Sequence, residues 1–310
     1  MHESLTDKLD QLEQKFAAMG QDMASYLEGL LQADYLTYWD YIHLETLLSL
    51  QNPKTTYPDE LIFVTYHQIT ELYFKLILHE IDQIANATPL TTAFFVDRMQ
   101  RVNQYFKLLE DSFKIMITGM EREQFLKFRM ALLPSSGFQS VQFRKIEIVS
   151  TDFRNLLVSA PPDPEYISDL YEFMYWKRGA TELATQQKTL TLKQFDQHYG
   201  PQLVRLAEEY QFKNLYHHYQ HLERDGLSTI ELANVLREYD WRTNIRWKLA
   251  HLRSAVQYLQ KEPENIRATG GTNWQTYLPP KQQHVVFFPA LWTEDELQSW
   301  GQSSWQPDTL

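Results

Sequence analysis

The stretch that most constrains this chain is residues 59–86, DELIFVTYHQITELYFKLILHEIDQIAN. Its pattern is helical, and apolar residues fall on most sides of the predicted helix. Such a helix has no broad face to give to water, so other elements must enclose it. The chain supplies them. Residues 94–118, 121–133, 138–157 and 228–261 also carry apolar residues at helical spacing. Pro58-Asp59-Glu60 opens the central helix with the residues a helix N-terminus favours, and Pro134 ends another. The run VVFFPALW near the C-terminus is the one strand-like segment. The expectation is an all-α fold built as a helical bundle.

One domain, 1–310, is expected, with unequal parts. Residues 5–31 place Leu5, Leu9, Leu12, Phe16, Met19 and Met23 on one stripe of a helix. A lone N-terminal helix of that kind needs a surface to cover, so 1–34 reads as an oligomerisation arm. Residues 35–149 and 226–283 make the core. Ala160-Pro161-Pro162-Asp163-Pro164 breaks the pattern, and the more polar segment 150–225 reads as a helical excursion from that core. Residues 284–310 form a tail with a final acidic helix.

Composition narrows the function. A formal charge of -11 leaves no basic face for nucleic acid. The chain has no cysteine, which excludes disulfides, thiolate nucleophiles, Cys–zinc sites, iron–sulfur clusters and thiolate-ligated haem. No apolar run nears the roughly 18 residues of a membrane span. The first residues, MHESLTDKLDQLEQKF, lack the basic start and apolar core of a signal peptide. A soluble cytoplasmic protein is expected, binding neither nucleic acid nor membrane.

Two histidines stand among aromatic and apolar residues on separate predicted helices. His67 has Phe63, Tyr66, Leu72 and Tyr73 around it, and Glu71 and Lys75 continue its row. Taken alone, it reads as a core histidine paired with Glu71. His251 follows Trp247 by one turn; an imidazole placed so can ligate haem iron, although most are hydrogen-bonded core residues. Arg129 lies near Phe125 and Leu132, and a guanidinium in apolar surroundings needs an anion. A substrate carboxylate or an internal acid could serve. Ala268-Thr269-Gly270-Gly271-Thr272 offers a hydroxyl and flexible amides, without the preceding strand a dinucleotide fingerprint needs. His217, His218 and His221 place two imidazoles at i, i+4, where a solvated face is the commoner outcome than zinc. Tyr38, Trp39 and Tyr41 cluster as core or interface aromatics do.

Together, four blocks in order resemble the tryptophan 2,3-dioxygenase family. They are Tyr38-x-x-Tyr41 with LETLLSLQ; FVTYHQITELYFKLILHE; FLKFRMALLPSSGFQSVQFRKIE; and WKLAHLRSAVQYL followed by ATGG. The third is the most specific, because PSSGFQSVQFR is long and has no compositional explanation. The likeness runs from about Tyr38 to Leu278 and is weaker over 150–225.

The resemblance implies a helical haem b protein, usually a homotetramer, of tryptophan catabolism and the kynurenine pathway. It would insert both atoms of O2 into the indole ring of L-tryptophan to give N-formylkynurenine. By position, His251 matches the proximal ligand of the haem iron, and Ser136 and Trp247 match positions near the haem. His67 matches the distal histidine that meets the indole N–H. Arg129 matches the arginine that grips the substrate carboxylate, and Thr269 the loop threonine at the substrate's polar end. Phe63, Phe125 and Leu132 match apolar contacts around the indole. Tyr38 and Tyr41 match aromatics lent by a neighbouring subunit.

The chain also departs from the pattern. The family's loop usually reads GTGGSSG and here reads ATGGTNW, with Trp274 in place of a small residue. Tyr73 stands where the family has tryptophan, and Tyr66 precedes His67 where a smaller or polar residue is common. These changes spare the haem ligand and reshape the substrate side. A relative that oxygenates a modified indole, by one oxygen atom or two, is therefore a second expectation. A helical scaffold or haem sensor without turnover is a third, and the His67–Arg129–Thr269 set argues against it.

Overall fold

The computed structural model describes residues 4–132, 135, 137–159, 166–181, 187–260, 275 and 278–302. Among them there are helices and two isolated β-bridges, Leu157 with Met174 and Thr181 with Lys188, and no strand. The all-α expectation holds. No described helix is long and apolar enough to cross a membrane.

The chain divides into two compact units, Met1–Asn52 and Pro53–Leu310. In the first, α1 (Leu5–Ala18) starts at a capping box in which Ser4 and Asp7 satisfy each other's backbone N–H. The single helical stripe predicted over 5–31 is broken. Gly20 turns the chain at φ +68°, and Asp22 caps α2 (Met23–Leu31) by accepting from the N–H groups of Ala24 and Ser25. Two short helices follow, α3 (Tyr38–Tyr41) and α4 (Leu44–Leu48). None of these four helices buries a residue. Leu31 is 80% exposed and Tyr35 97%. The anticipated arm thus belongs to a unit that runs past residue 34, to Asn52.

The second unit is organised by two long helices packed on each other, α5 (Asp59–Asn86) and α6 (Thr92–Thr118). Asp59 and Glu60 sit in the first turn of α5, where the helix dipole favours negative charge. Glu60 is buried and accepts from the N–H groups of Lys54 and Thr55, which ties the entering chain to the helix. Thr91 caps α6 through the N–H of Phe94. On α6, Phe95, Met99, Val102, Phe106, Leu109, Phe113 and Met116 are buried at helical spacing. Fully burying side chains of this size is worth about 1.5–3 kcal/mol each, so this stripe is a principal tether of α6.

Around this pair lie α7 (Arg122–Phe128), α8 (Val141–Ser150), α9 (Ile167–Tyr171), α10 (Leu190–Glu209), α11 (Leu215–Arg224), α12 (Ile230–Trp241) and α13 (Trp247–Leu259). The helix expected over 121–133 ends as α at Phe128 and tightens to a 3-10 turn, Arg129–Leu132. The described residues within 150–225 do not leave the core. Leu170, Tyr171, Met174, Trp176, Phe195, Leu203 and Tyr219 join the same apolar cluster as residues of α5, α6, α8 and α12. The segment is polar on average because these apolar residues occupy single faces of amphipathic helices.

The helix expected over 228–261 is interrupted. Between α12 and α13 lies a π turn, Arg242–Arg246, where the N–H of Trp247 reaches the C=O of Arg242. The strand-like run pairs with no strand among the described residues and coils into a 3-10 turn at Pro289–Leu291. The N–H groups of Phe287 and Phe288 and the indole N–H of Trp292 instead donate to the buried carboxylate of Asp240, each at 3.0 Å. Asn244 adds a fourth donor at 2.8 Å. Burial raises the Asp240 pKa, and these donors oppose the rise. A β-branched and aromatic run needs a neighbouring edge to become a strand, and here a side-chain carboxylate takes its donors.

Candidate functional site

A second apolar cluster joins α5, α6, α7 and α13. Its buried members include Tyr66, Phe113, Phe125, Phe128 and Tyr258, with Phe63, Leu132 and Trp247 packed against it. His67 and His251 both make ring contacts with this cluster. The His67 ring lies 4.1 Å from the Phe63 ring and 5.7 Å, edge-on, from Tyr66. Tyr66 is 5.7 Å from Phe113, and Phe113 stacks 6.2 Å from His251 and lies tilted 4.6 Å from Trp247. Two aromatic rings therefore link the two imidazoles.

Helical spacing explains the His67 geometry. Its Nδ1 lies 2.7 Å from the carbonyl oxygen of Phe63, one turn back. A carbonyl can only accept, so Nδ1 carries the proton and Nε2 keeps its lone pair. One side of the ring is open to water. Burial of the rest still pushes its pKa below the ordinary histidine value, outweighing the Phe63 hydrogen bond and the Glu71 charge. The simple reading, a core histidine paired with Glu71, is not what the structure shows. Glu71 accepts from Gln142 at 2.8 Å.

His251 is half-buried, and burial, with the nearby His67 charge second, pushes its pKa down to about 4. It is a neutral imidazole at neutral pH, the form that can ligate a metal. A Cβ built on Gly137 would stand 3.4 Å from its Cε1 and 3.9 Å from its Nε2. With glycine at this position, no side chain of residue 137 covers that edge of the ring. The donor set suits a haem: one neutral imidazole, aromatic walls, and a glycine beside the ring's edge. Among the described residues no group of three acids or histidines could hold a bare metal ion, His217, His218 and His221 included. That trio is also less solvated than expected. His217 and His218 are half-buried, and burial lowers the pKa of both.

Arg129 is buried at 7% exposure at the start of the 3-10 turn. Phe125, Phe128 and Leu132 surround it in sequence and belong to or pack on the cluster. Burial lowers its pKa, yet a guanidinium remains charged at any physiological pH.

The fold thus gathers Phe63, His67, Phe125, Arg129, Leu132, Trp247 and His251 on helices that pack on one another. Tyr38 and Tyr41 lie in the first unit and are exposed. Ser136, Thr269 and the ATGGTNW loop lie outside the described residues. The sequence reading missed Phe113 and Gly137. Phe113 had a signal, the buried stripe of α6, but nothing in its spacing pointed at His251. Gly137 had none beyond its turn.

Comparison with known proteins agrees with this arrangement. The family model described as Tryptophan 2,3-dioxygenase matches residues 28–157, which hold Phe63, His67, Phe125, Arg129 and Leu132. A protein of Ruegeria sp. (strain TM1040) named tryptophan 2,3-dioxygenase is 29% identical over 272 residues, covering 84% of this chain and 92% of the relative. One of Arthrobacter sp. (strain FB24), with the same name, is 28% identical over 273 residues, covering 83% and 89%. Spans of that length include both histidines wherever they begin. Against the Dictyostelium discoideum protein of that name, identity is 38% over 150 residues, covering 44% of this chain and only 37% of the relative. The chain is thus similar, over most of its length, to proteins named tryptophan 2,3-dioxygenase, which are oxidoreductases.

Proposed function

We propose that this chain is a haem-dependent dioxygenase that inserts both atoms of O2 across the C2–C3 bond of the L-tryptophan indole, giving N-formylkynurenine. The observation that carries the reading is the pair of neutral imidazoles, His67 and His251, on α5 and α13 beside one aromatic cluster. His251 would hold the iron, with Trp247 and Ser136 beside the group. Ferrous haem, when bound, supplies the O2 binding and redox chemistry that no side chain here provides. The protein's task is orientation. His67 accepts the indole N–H at Nε2 and so sets the angle of the ring. It is an orienter rather than an obligatory base, because the indole N–H is a very weak acid. Phe63, Phe125 and Leu132 hold the ring's faces. Arg129 takes the carboxylate through its planar fork, and Thr269 meets the amino-acid end.

The test is anaerobic ferrous protein given L-tryptophan and O2, with the product followed by absorbance and its oxygen content read by mass spectrometry. Two atoms from O2 are expected. Incorporation of one atom, or product from a substituted indole alone, would favour the second reading, an oxygenase of a modified indole. Tyr66, 4% exposed and edge-on to His67, is the observation on that side. Arg129→Ala should lower kcat/KM for L-tryptophan by about 2–4 kcal/mol, roughly 30- to 1,000-fold. Tryptamine, which has no carboxylate, should be indifferent. An unchanged tryptophan-to-tryptamine ratio in the variant would assign Arg129 to an internal acid.

We also propose a homo-oligomer, a tetramer by family habit, in the cytoplasm. Tyr38 and Tyr41 would serve a neighbour's site. The support is a first unit whose described helices bury nothing within one chain. Removing residues 1–34 should give smaller, poorly active species in light scattering; a fully active monomer would refute it.

A further inference from the structure

The helix that carries His251 contains one residue more than an α-helix would. At the π turn the N–H of Trp247 bonds five residues back, to Arg242. An extra residue in a regular helix turns everything after it by about 100°. The π turn absorbs that residue, so α13 presents the faces it would present if the residue were absent. His251, five residues beyond the turn, depends on this for its direction. Yet a π turn is rare and strained relative to α, so something must hold it.

What holds it lies on α6. Glu110, its side chain 8% exposed, accepts from Arg242 Nη1 at 3.1 Å and from Arg246 Nε at 3.3 Å. These arginines are the first and last residues of the π turn. One turn further along α6, Phe113 stacks on His251 and packs, tilted, against Trp247. Consecutive turns of one helix therefore grip the π turn and the histidine it aims. The other side-chain bonds at the turn, Asn244 to Asp240 and Arg242 to Glu238, span four residues within the helix itself. They join residues of the same helix, whereas Glu110 ties both ends of the turn to α6.

We infer that Glu110 is a positioning residue for His251: by bridging Arg242 and Arg246 it keeps the surplus residue in the π turn and so keeps the imidazole aimed at its ligand. The inference rests on reading His251 as the iron ligand. It makes a claim that a general stabilising role does not. Without the surplus residue, the clamp is unnecessary. Deleting Thr243 converts the π turn to regular helix, leaves α13 facing as before, and makes the protein insensitive to loss of Glu110.

The experiment titrates hemin into the full-length apoprotein and reads affinity and the Soret spectrum, with helix content followed by circular dichroism. Glu110→Ala is expected to weaken hemin binding about tenfold or more and to lose the histidine-ligated spectrum, as losses of ligand support do. Glu110→Gln, which keeps an acceptor without the charge, should lie between it and wild type. Glu110→Ala combined with deletion of Thr243 should return to wild-type affinity and spectrum, even where Glu110→Ala alone folds poorly. Wild-type binding by Glu110→Ala overturns the inference. So does a combined variant that binds no better than Glu110→Ala, or does not fold. His251→Ala separates the two levels: if it binds hemin with the wild-type spectrum, the ligand reading itself falls, whatever Glu110 does.

Discussion

The two histidines are held by different means. His67 sits in an uninterrupted 28-residue helix, and the backbone of that helix orients it, through the carbonyl of Phe63 one turn away. His251 follows a π turn, and its direction comes from other elements: Phe113 and Glu110 of α6. One imidazole is placed by local geometry and the other by tertiary packing. The locally placed ring is the one open to water on one side, while the other is half-buried. An orienting acceptor has to meet a ligand that comes and goes. The metal ligand we propose His251 to be has to stay in one place, and packing from a second helix does that better than a single backbone bond.

The sharpest way to break this contrast is to remove each ring in turn. His251→Ala should weaken hemin binding at least about 100-fold, and added imidazole should restore a histidine-type spectrum, because only a ligand has been lost. His67→Ala should leave hemin affinity unchanged and lower kcat about ten- to a hundredfold, the scale of lost orientation and a lost hydrogen-bonding partner. If His67→Ala loses hemin while His251→Ala keeps it, the two roles are reversed.

The smallest effect concerns the surroundings of α13. Lys248, one turn before His251, is buried, with its Nζ 3.4 Å from the hydroxyl of Tyr175. Tyr175 donates to Glu147, which pairs with Arg144 at 3.1 Å. Burial, with the Arg144 charge adding to it, pushes the Lys248 pKa down to about 7 against the opposing charges of Glu147 and Asp240. Between about pH 7 and the unfolded lysine value of about 10.4, the unfolded chain binds the proton and the folded one does not. Stability from this group must therefore rise with pH above 7, by at most about 1.4 kcal/mol per pH unit, and be flat below it. Denaturant titrations between pH 7 and 9 should show wild type gaining on Lys248→Met. Parallel curves would mean that the lysine keeps its proton in the fold and that its network is a conventional ion cluster.

Much of the site was legible because helical periodicity writes neighbours into sequence. Phe63 and His67 are one turn apart, as are Trp247 and His251, so each pair could be expected on one face. Other features were illegible for the same reason. Phe113 lies more than 130 residues from Trp247 along the chain, and no period connects them. The segment 150–225 looked like an excursion because average polarity hides which face of each helix is apolar. The VVFFPALW run looked like a strand because its residue types suit one. It is not a strand because the carboxylate of Asp240 takes its N–H groups, and a lone acid in a helix gives no sign of that.

By itself, then, the sequence determined the all-α class, the central place of residues 59–86, and the candidate set of two imidazoles and one arginine. These follow from short-range spacing and side-chain chemistry, which a linear string carries in full. Only the tertiary structure decided that Phe113 of α6 meets both Tyr66 and His251, that one surplus residue is stored as a π turn, and that Glu110 bridges its two ends. Those outcomes depend on which helices touch, and contacts between residues far apart in the chain are set by packing and charge pairing rather than by any local pattern.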